Sequence, residues 1–233
     1  MSEKHTLSIF DEDLRSLRDE VLRLADQVGG ELERALQALL TADHELAREV
    51  VASDTRADGL QEQINRHMTY VLARQQAMAH DLREILAAGR IAAHLERIGD
   101  YAKNTAKRSQ RLSRRLDAGV GAQFRWMIER VNGMLRRVMD AYTQEDAAQA
   151  NVAWSSDAEL DALYGKLFEH LLASMRADSG AVADGMQLLF IAKGLERSGD
   201  HVTDIAEEVF FMVTGAPLQG PRPKMDEPTP RGD

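Results

Sequence analysis

Two stretches, HLERIGDYAKN at 94–104 and GLERSGDHVTD at 194–204, share the core L-E-R-x-G-D. On a helix, positions i, i+4 and i+8 drift by about 40° per step and form one continuous ridge. Glu96, Asp100 and Asn104 therefore line up, as do Glu196, Asp200 and Asp204. Glu207 joins the second ridge, giving four like charges with no Lys or Arg among them, whereas Asn104 replaces one acid in the first and Lys107 partly neutralises it. Like charges at i, i+4 cost a few tenths of a kcal/mol each, so converging acids need a compensating partner. Carboxylate oxygens with no Cys and no obvious His ligand suit a hard cation such as Mg²⁺ or Ca²⁺, or Mn²⁺ or iron. The plainer reading is that an acidic ridge opposite an apolar stripe is a solvated face, and the apolar stripe through Leu95, Ile98 and Ala102 does point the acids outward.

Two further acid pairs at the same spacing strengthen the metal reading. Asp54 with Asp58, and Asp157 with Asp161, lie at the flank of an apolar seam, where each pair can approach the ridge of the next helix. Gly99 and Gly199 interrupt the two ridges, at roughly 1 kcal/mol each relative to Ala. They imply close approach of a neighbouring helix or a ligand, with packing slightly favoured. His67 and His170 fall on the apolar seam and read as packing histidines. His201 has Tyr101 in its place in the other copy, which excludes a symmetric histidine ligand. The basic run Lys107, Arg108, Arg111, Arg114 and Arg115 reads as a solvated helix end. Glu-x-x-His pairs and nucleotide-binding glycine loops are absent, and no nucleophile–base–orienter set can be assembled, so catalysis has no support.

The acids need long helices to align them, and the apolar pattern supplies these. Residues Leu14, Leu17, Val21, Leu24, Val28, Leu32, Ala35 and Leu39 recur in steps of three and four, ending near Thr41-Ala42-Asp43. A second stripe runs from Leu46 through Val50, Ala57, Leu60 and Ile64 to Val71, and a third from Ile91 to Ala106. Each predicts a helix of roughly thirty residues, on the order of 45 Å long, buried on one face. Phe124 to Tyr142 then match Val21 to Leu39 at an offset of 103, and Leu160, Leu163 and Leu167 match Ala57, Leu60 and Ile64 at the same offset. In the third helix the offset becomes 100, so the difference must be absorbed around 73–84 and 176–184, where Ala-Asp-Ser-Gly at 177–180 signals a turn. The chain is an all-α tandem duplication of a three-helix bundle with six long helices. The first bundle spans 7–116, the second 117–215, and a tail follows at 216–233.

Composition agrees. All five prolines lie at or after Pro217, so nothing upstream is forced to leave a helix. The polar, Pro-rich tail is expected to be disordered. With no Cys, disulfides and thiolate sites are excluded. A net charge of −9 argues against a nucleic-acid partner. No long apolar run or signal-peptide core is present, so a cytoplasmic protein is expected.

The segments LERIGDYAKNTAKR and LERSGDHVTDIAEEVFFMVTG closely resemble the two signature helices of the PhoU family. FDEDLRSLRDEV, GGELERAL, ARQQAMAHDLREILAAGRIAAHLERIGD and ALYGKLFEHLL resemble further segments of that family, so the likeness runs from about Phe10 to Gly215. The resemblance implies two three-helix bundles and a homodimer. It also implies bound metal ions (Mg, Mn, Fe or Zn), held by Glu96, Asp100 and Asn104 with Asp54 and Asp58, and by Glu196, Asp200 and Asp204 with Asp157 and Asp161. Two departures stand out: Ser198 where an apolar residue is usual, and Gln76 where proline is common. The implied function is regulatory rather than catalytic. It links the ATPase subunit of a Pst phosphate transporter to the PAS region of a PhoR-type histidine kinase, keeps phosphate-starvation genes off, and meets the membrane only through those partners. A metal-buffering helical protein and a paralogue serving another pathway are the alternatives.

Overall fold

The computed structural model describes residues 2–74, 77 and 79–218, with the backbone alone described over 2–9. Gln76, and the expected disordered tail from 219 onward, lie outside the described residues. Helices α1 (Ser2–Thr41), α2 (His44–Arg74) and α3 (His80–Ser109) form the first bundle. The second comprises α4 (Ala118–Gln144), α5 (Ala147–Trp154), α6 (Ala158–Ala177) and α7 (Val182–Thr214), with a short 3₁₀ turn at Ser179–Ala181 before α7. Among the described residues there is no strand.

Asp residues set the boundaries. Asp43 accepts from the amides of Glu45 and Leu46, starting α2; Asp117 accepts from Val120 N, starting α4; Asp146 accepts from Ala148 and Gln149, starting α5. Such caps are each worth about 1 kcal/mol. Asp178, in the expected turn at 177–180, accepts from Gly180 N. The change of offset between the copies falls here, between α6 and α7, and correspondingly between α2 and α3.

The expected stripes are the core: Val21, Leu24, Val28 and Leu32 of α1, Ile64 of α2 and Ile91, Leu95 and Ile98 of α3 are fully buried, as are Phe124, Met127, Val131, Leu167, Leu195 and Val202 in the second copy. One departure is local. The fifth long helix is broken at Ser155–Asp157 into α5 and α6, and Arg130 holds the break by donating to Ser156 O at 3.1 Å and pairing with Glu159 at 2.9 Å.

The bundles meet through two antiparallel helix pairs, α3 with α7 and α1 with α4. Contacts along α1 and α4 exchange under the 103-residue offset. Asn132 reaches Gly29, its own equivalent. Arg18 reaches Thr143 O, while Leu40 meets Gly121, the equivalents of each other's positions. Along α3 and α7 the same exchange holds with an offset of 100: His94 meets His201, and Tyr101 meets Gly194. The duplication is therefore also a spatial two-fold, with each bundle's third helix packed on its copy.

The two ridge glycines serve packing, to different degrees. A Cβ on Gly99 would meet Val28 Cγ2 at 3.5 Å, Glu31 Oε2 at 3.6 Å and Ala57 Cβ at 3.9 Å, all ordinary contacts. A Cβ on Gly199 would lie 2.3 Å from Leu160 Cδ2 and 2.9 Å from Asp157 Oδ1. Thermal or denaturant unfolding should therefore separate them. Gly99→Ala is expected to be neutral or to stabilise by up to about 1 kcal/mol. Gly199→Ala should destabilise by about 1–3 kcal/mol through overpacking.

Candidate metal centre

In the first bundle α2 and α3 bring Asp54 against the Glu96–Asp100 ridge. The acids do not simply face water: Asp54 is 7% exposed, and Glu96 and Asp100 are largely covered. Lys103 lies between them, donating to Asp54 Oδ2 at 2.6 Å and to Asp100 Oδ1 at 2.8 Å. The cation that neutralises this ridge is thus Lys103 rather than the expected Lys107, which is exposed one turn further on. Burial alone would lower the Lys103 pKa, but its hydrogen bonds to Asp100 and Asp54 outweigh this and hold it above its usual value. Asp58 is exposed yet close enough, with Asp54, to raise the Glu96 carboxyl, whose shift comes first from burial and next from Asp100, with Arg97 opposing. Asn104 is exposed at the end of the ridge.

Sequence reasoning missed Glu31. It stands on α1 at 2% exposure, its Oε1 accepting from Gln27 at 2.8 Å and its Oε2 beside Gly99. The signal was available: 28, 31 and 35 share the face of the α1 stripe, so Glu31 is an acid placed on an apolar face. Burial raises its pKa, Asp54 adds to the rise, and hydrogen bonds from Gln27 and Ser53 oppose it.

The second bundle differs at the counter-charge. Thr203 occupies the position of Lys103, fully buried and donating to Asp200 O at 2.7 Å. Asp157, at 2% exposure, sits where α6 begins but caps nothing with its side chain. Its Oδ1 lies instead against Gly199, on the face of α7 that carries Glu196 and Asp200. Lys193 donates to Glu196 Oε1 at 2.7 Å, while Glu196 Oε2 is buried with no hydrogen-bond partner among the described residues. Asp161 is half-buried on α6. Ser198, despite its polarity, donates to Gly194 O at 2.9 Å and is fully buried, so the unusual residue leaves no polar group unsatisfied. Glu207 accepts from Trp154 Nε1 at 2.8 Å, tying the end of α5 to α7.

Asp204 turns toward the bundle interface, its Oδ2 lying 3.6 Å from Nδ1 of both His94 and His201. Burial lowers the His94 pKa, with Asp204 opposing. The other histidines separate: His67 contacts the buried Glu20 at 3.2 Å, but His170 is exposed against Gln123, contrary to the expected seam position. The basic run is not merely solvated. Arg108 contacts Gln187 and stacks on Phe190, Arg114 pairs with Asp178, and Ser113 and Arg114 bond Asp184.

Two outcomes follow from these environments. Lys103→Met leaves the buried Asp54 without its counter-charge, while Asp100 keeps Arg97 at 3.4 Å; it should cost about 1–3 kcal/mol, most of it recovered in the Lys103→Met/Asp54→Asn double variant. A raised carboxyl pKa contributes stability that is complete below the unfolded value of 4.5 and lost as pH rises through the folded value. Glu31→Gln should therefore stabilise the fold at neutral pH, and the gain should vanish as unfolding is measured below that value.

Comparison with known proteins agrees with this architecture. The PhoU domain model matches residues 21–109 and 124–209, one copy in each bundle. A phosphate-specific transport system accessory protein PhoU homolog from Caulobacter vibrioides is 40% identical over 227 residues, covering 96% of this chain and 97% of its own. The corresponding protein from Rhizobium meliloti is 38% identical over 231 residues, covering 97% and 96%. The crystal structure of PhoU from Pseudomonas aeruginosa superimposes with a TM-score of 0.82 at 29% identity, covering 89% of this chain and all of that one. The phosphate transport system regulatory protein PhoU from Streptococcus pneumoniae gives 0.84 at 26%, covering 90% and 99%. Among the described residues no helix is long and apolar enough to cross a membrane. With the domain matched in both bundles and the likeness running nearly end to end, this chain belongs to the PhoU family.

Proposed function

We propose that this protein is a cytoplasmic accessory regulator of phosphate-specific transport. It couples the ATPase subunit of the transporter to a PhoR-type sensor kinase, and it keeps phosphate-starvation genes off when phosphate is plentiful. The observation that carries this reading is 40% identity, across nearly the whole of both chains, to a relative named as an accessory protein of that system. A homodimer that meets the membrane only through its partners fits the same reading.

Metal binding is part of the proposal, and the residues fit unequally. In the second bundle Glu196, Asp200, Asp157 and Asp161 would hold a cation. The buried Glu196 Oε2 and the replacement of Lys103 by Thr203 leave carboxylate charge beyond what Lys193, bonded to Glu196 Oε1, neutralises. In the first bundle Asp54, Asp58, Glu96 and Asp100 form a similar set, joined by Glu31, but Lys103 already supplies one fixed charge. A bound ion would supply charge neutralisation and would join the two helices of each site. The Lys103 contacts disfavour the metal-buffering alternative, because a reservoir for many ions gains nothing from a permanent ammonium among its ligands.

Alkaline phosphatase activity in phosphate-rich medium tests the regulatory role. Deleting the gene should raise activity at least several-fold, and the intact gene should return it to the parental level. Unchanged low activity in the deletion would reject the assignment and favour a paralogue of another pathway.

A further inference from the structure

Where the third helices of the two bundles cross, three donor atoms converge. His94 is contributed by α3, and His201 and Asp204 by α7. The two Nδ1 atoms are 3.1 Å apart, and each lies 3.6 Å from Asp204 Oδ2. A triangle with these sides has a circumradius of about 2.0 Å, so an ion at Zn–N and Zn–O distances of about 2.0–2.2 Å sits just off the plane of the three atoms, with one side left open. Two ligands bound to one tetrahedral zinc are separated by about 3.3 Å, close to each side of the triangle. The three side chains are about a quarter to a third exposed, so they are covered by the helix crossing but reachable from solvent.

A second histidine–carboxylate cluster in the same molecule provides a contrast. His80, Glu84 and Glu145 also approach one another, but the Arg18 guanidinium lies at 2.5 Å from Glu84 and 2.7 Å from Glu145, and already supplies their counter-charge. The two-fold equivalent of the His94–His201 contact is also informative. Tyr101 packs its ring against Gly194 there, so the equivalent crossing is filled without any imidazole. Only one of the two equivalent positions carries a histidine pair beside a carboxylate, and Tyr101 stacks on His201 at 6.0 Å between ring centroids.

We propose that His94, His201 and Asp204 form a binding site for a borderline divalent cation, of which zinc is the natural occupant, that clamps the two bundles together across the α3–α7 crossing. Two imidazoles and one carboxylate select zinc, nickel or copper over magnesium and calcium, which prefer all-oxygen sites. The ion would have three protein ligands from two helices and a fourth position open to water or to a donor from a partner. This site is separate from the carboxylate sets within each bundle. It stands independently of the phosphate reading, and its ligands come from both halves of the duplication.

The test uses full-length, metal-stripped protein titrated with Co²⁺, followed by its visible d–d absorption, and with Zn²⁺ in calorimetry. The wild type should develop the intense bands of low-coordinate, nitrogen-ligated cobalt, and one equivalent of Zn²⁺ should displace them. His94→Gln and His201→Gln, each checked for unchanged helix content, should abolish the bands and weaken the zinc equivalent at least about 100-fold. The Asp157→Asn/Glu196→Gln variant, which alters the carboxylate set of the second bundle, should keep both. Zinc should also raise the unfolding temperature of the wild type but not of the histidine variants. Wild-type zinc affinity and stoichiometry in either histidine variant would overturn the proposal, as would a wild type that gives no cobalt bands; the histidines would then form a hydrogen bond and nothing more.

Discussion

Five carboxylates, Glu20, Glu31, Asp54, Glu84 and Asp157, lie below one-tenth exposure among the described residues. A buried carboxylate left alone costs several kcal/mol, so each must be matched where the helices pack. Four of the matches are Gln63 and His67 for Glu20, Gln27 and Ser53 for Glu31, Lys103 for Asp54, and Arg18 for Glu84. Each of these four joins separate helices. The apolar stripes bring the helices together, and the buried acids then hold them in one register.

Duplication gave both bundles the same scaffold but not the same electrostatics. Val21, Leu24 and Val28 recur as Phe124, Met127 and Val131, a change of volume that the core absorbs. At the counter-charge the copies part: Lys103 in one is Thr203 in the other, and Glu31 in one is Met134 in the other. The second copy also breaks its middle helix beside Asp157. That break lets a carboxylate meet Gly199 at closer range than Asp54 meets anything on Gly99. A fold with two formally equivalent sites thus presents two chemically distinct ones.

The two-fold packing of α3 on α7 and α1 on α4 holds the two bundles at a fixed spacing without a linker. Arg83 on the α7 terminus, Arg90 on Glu208, and Arg108 on Gln187 and Phe190 stitch the α3–α7 pair along its length. The segment following α3 is bound to Asp184 at the start of α7, which closes the far end.

The sequence by itself determined the helical class, the duplication and the alignment of the acids along each ridge, but not the break of the fifth helix at Ser155–Asp157. These follow from local rules: a 3.6-residue period and a fixed offset between the copies. It also carried a signal for Glu31, an acid within an apolar stripe, that the periodicity reading passed over. The tertiary structure alone decided which distant groups share a space. His94 and His201 are not equivalents under the 100-residue offset, and only the antiparallel crossing of α3 and α7 makes them neighbours. Lys103 could be assigned to the ridge only once α2 had placed Asp54 beside it, because a flexible lysine side chain can turn toward more than one neighbour. Periodicity fixes the direction of a side chain from its own helix, whereas the helix it faces is set by packing between elements.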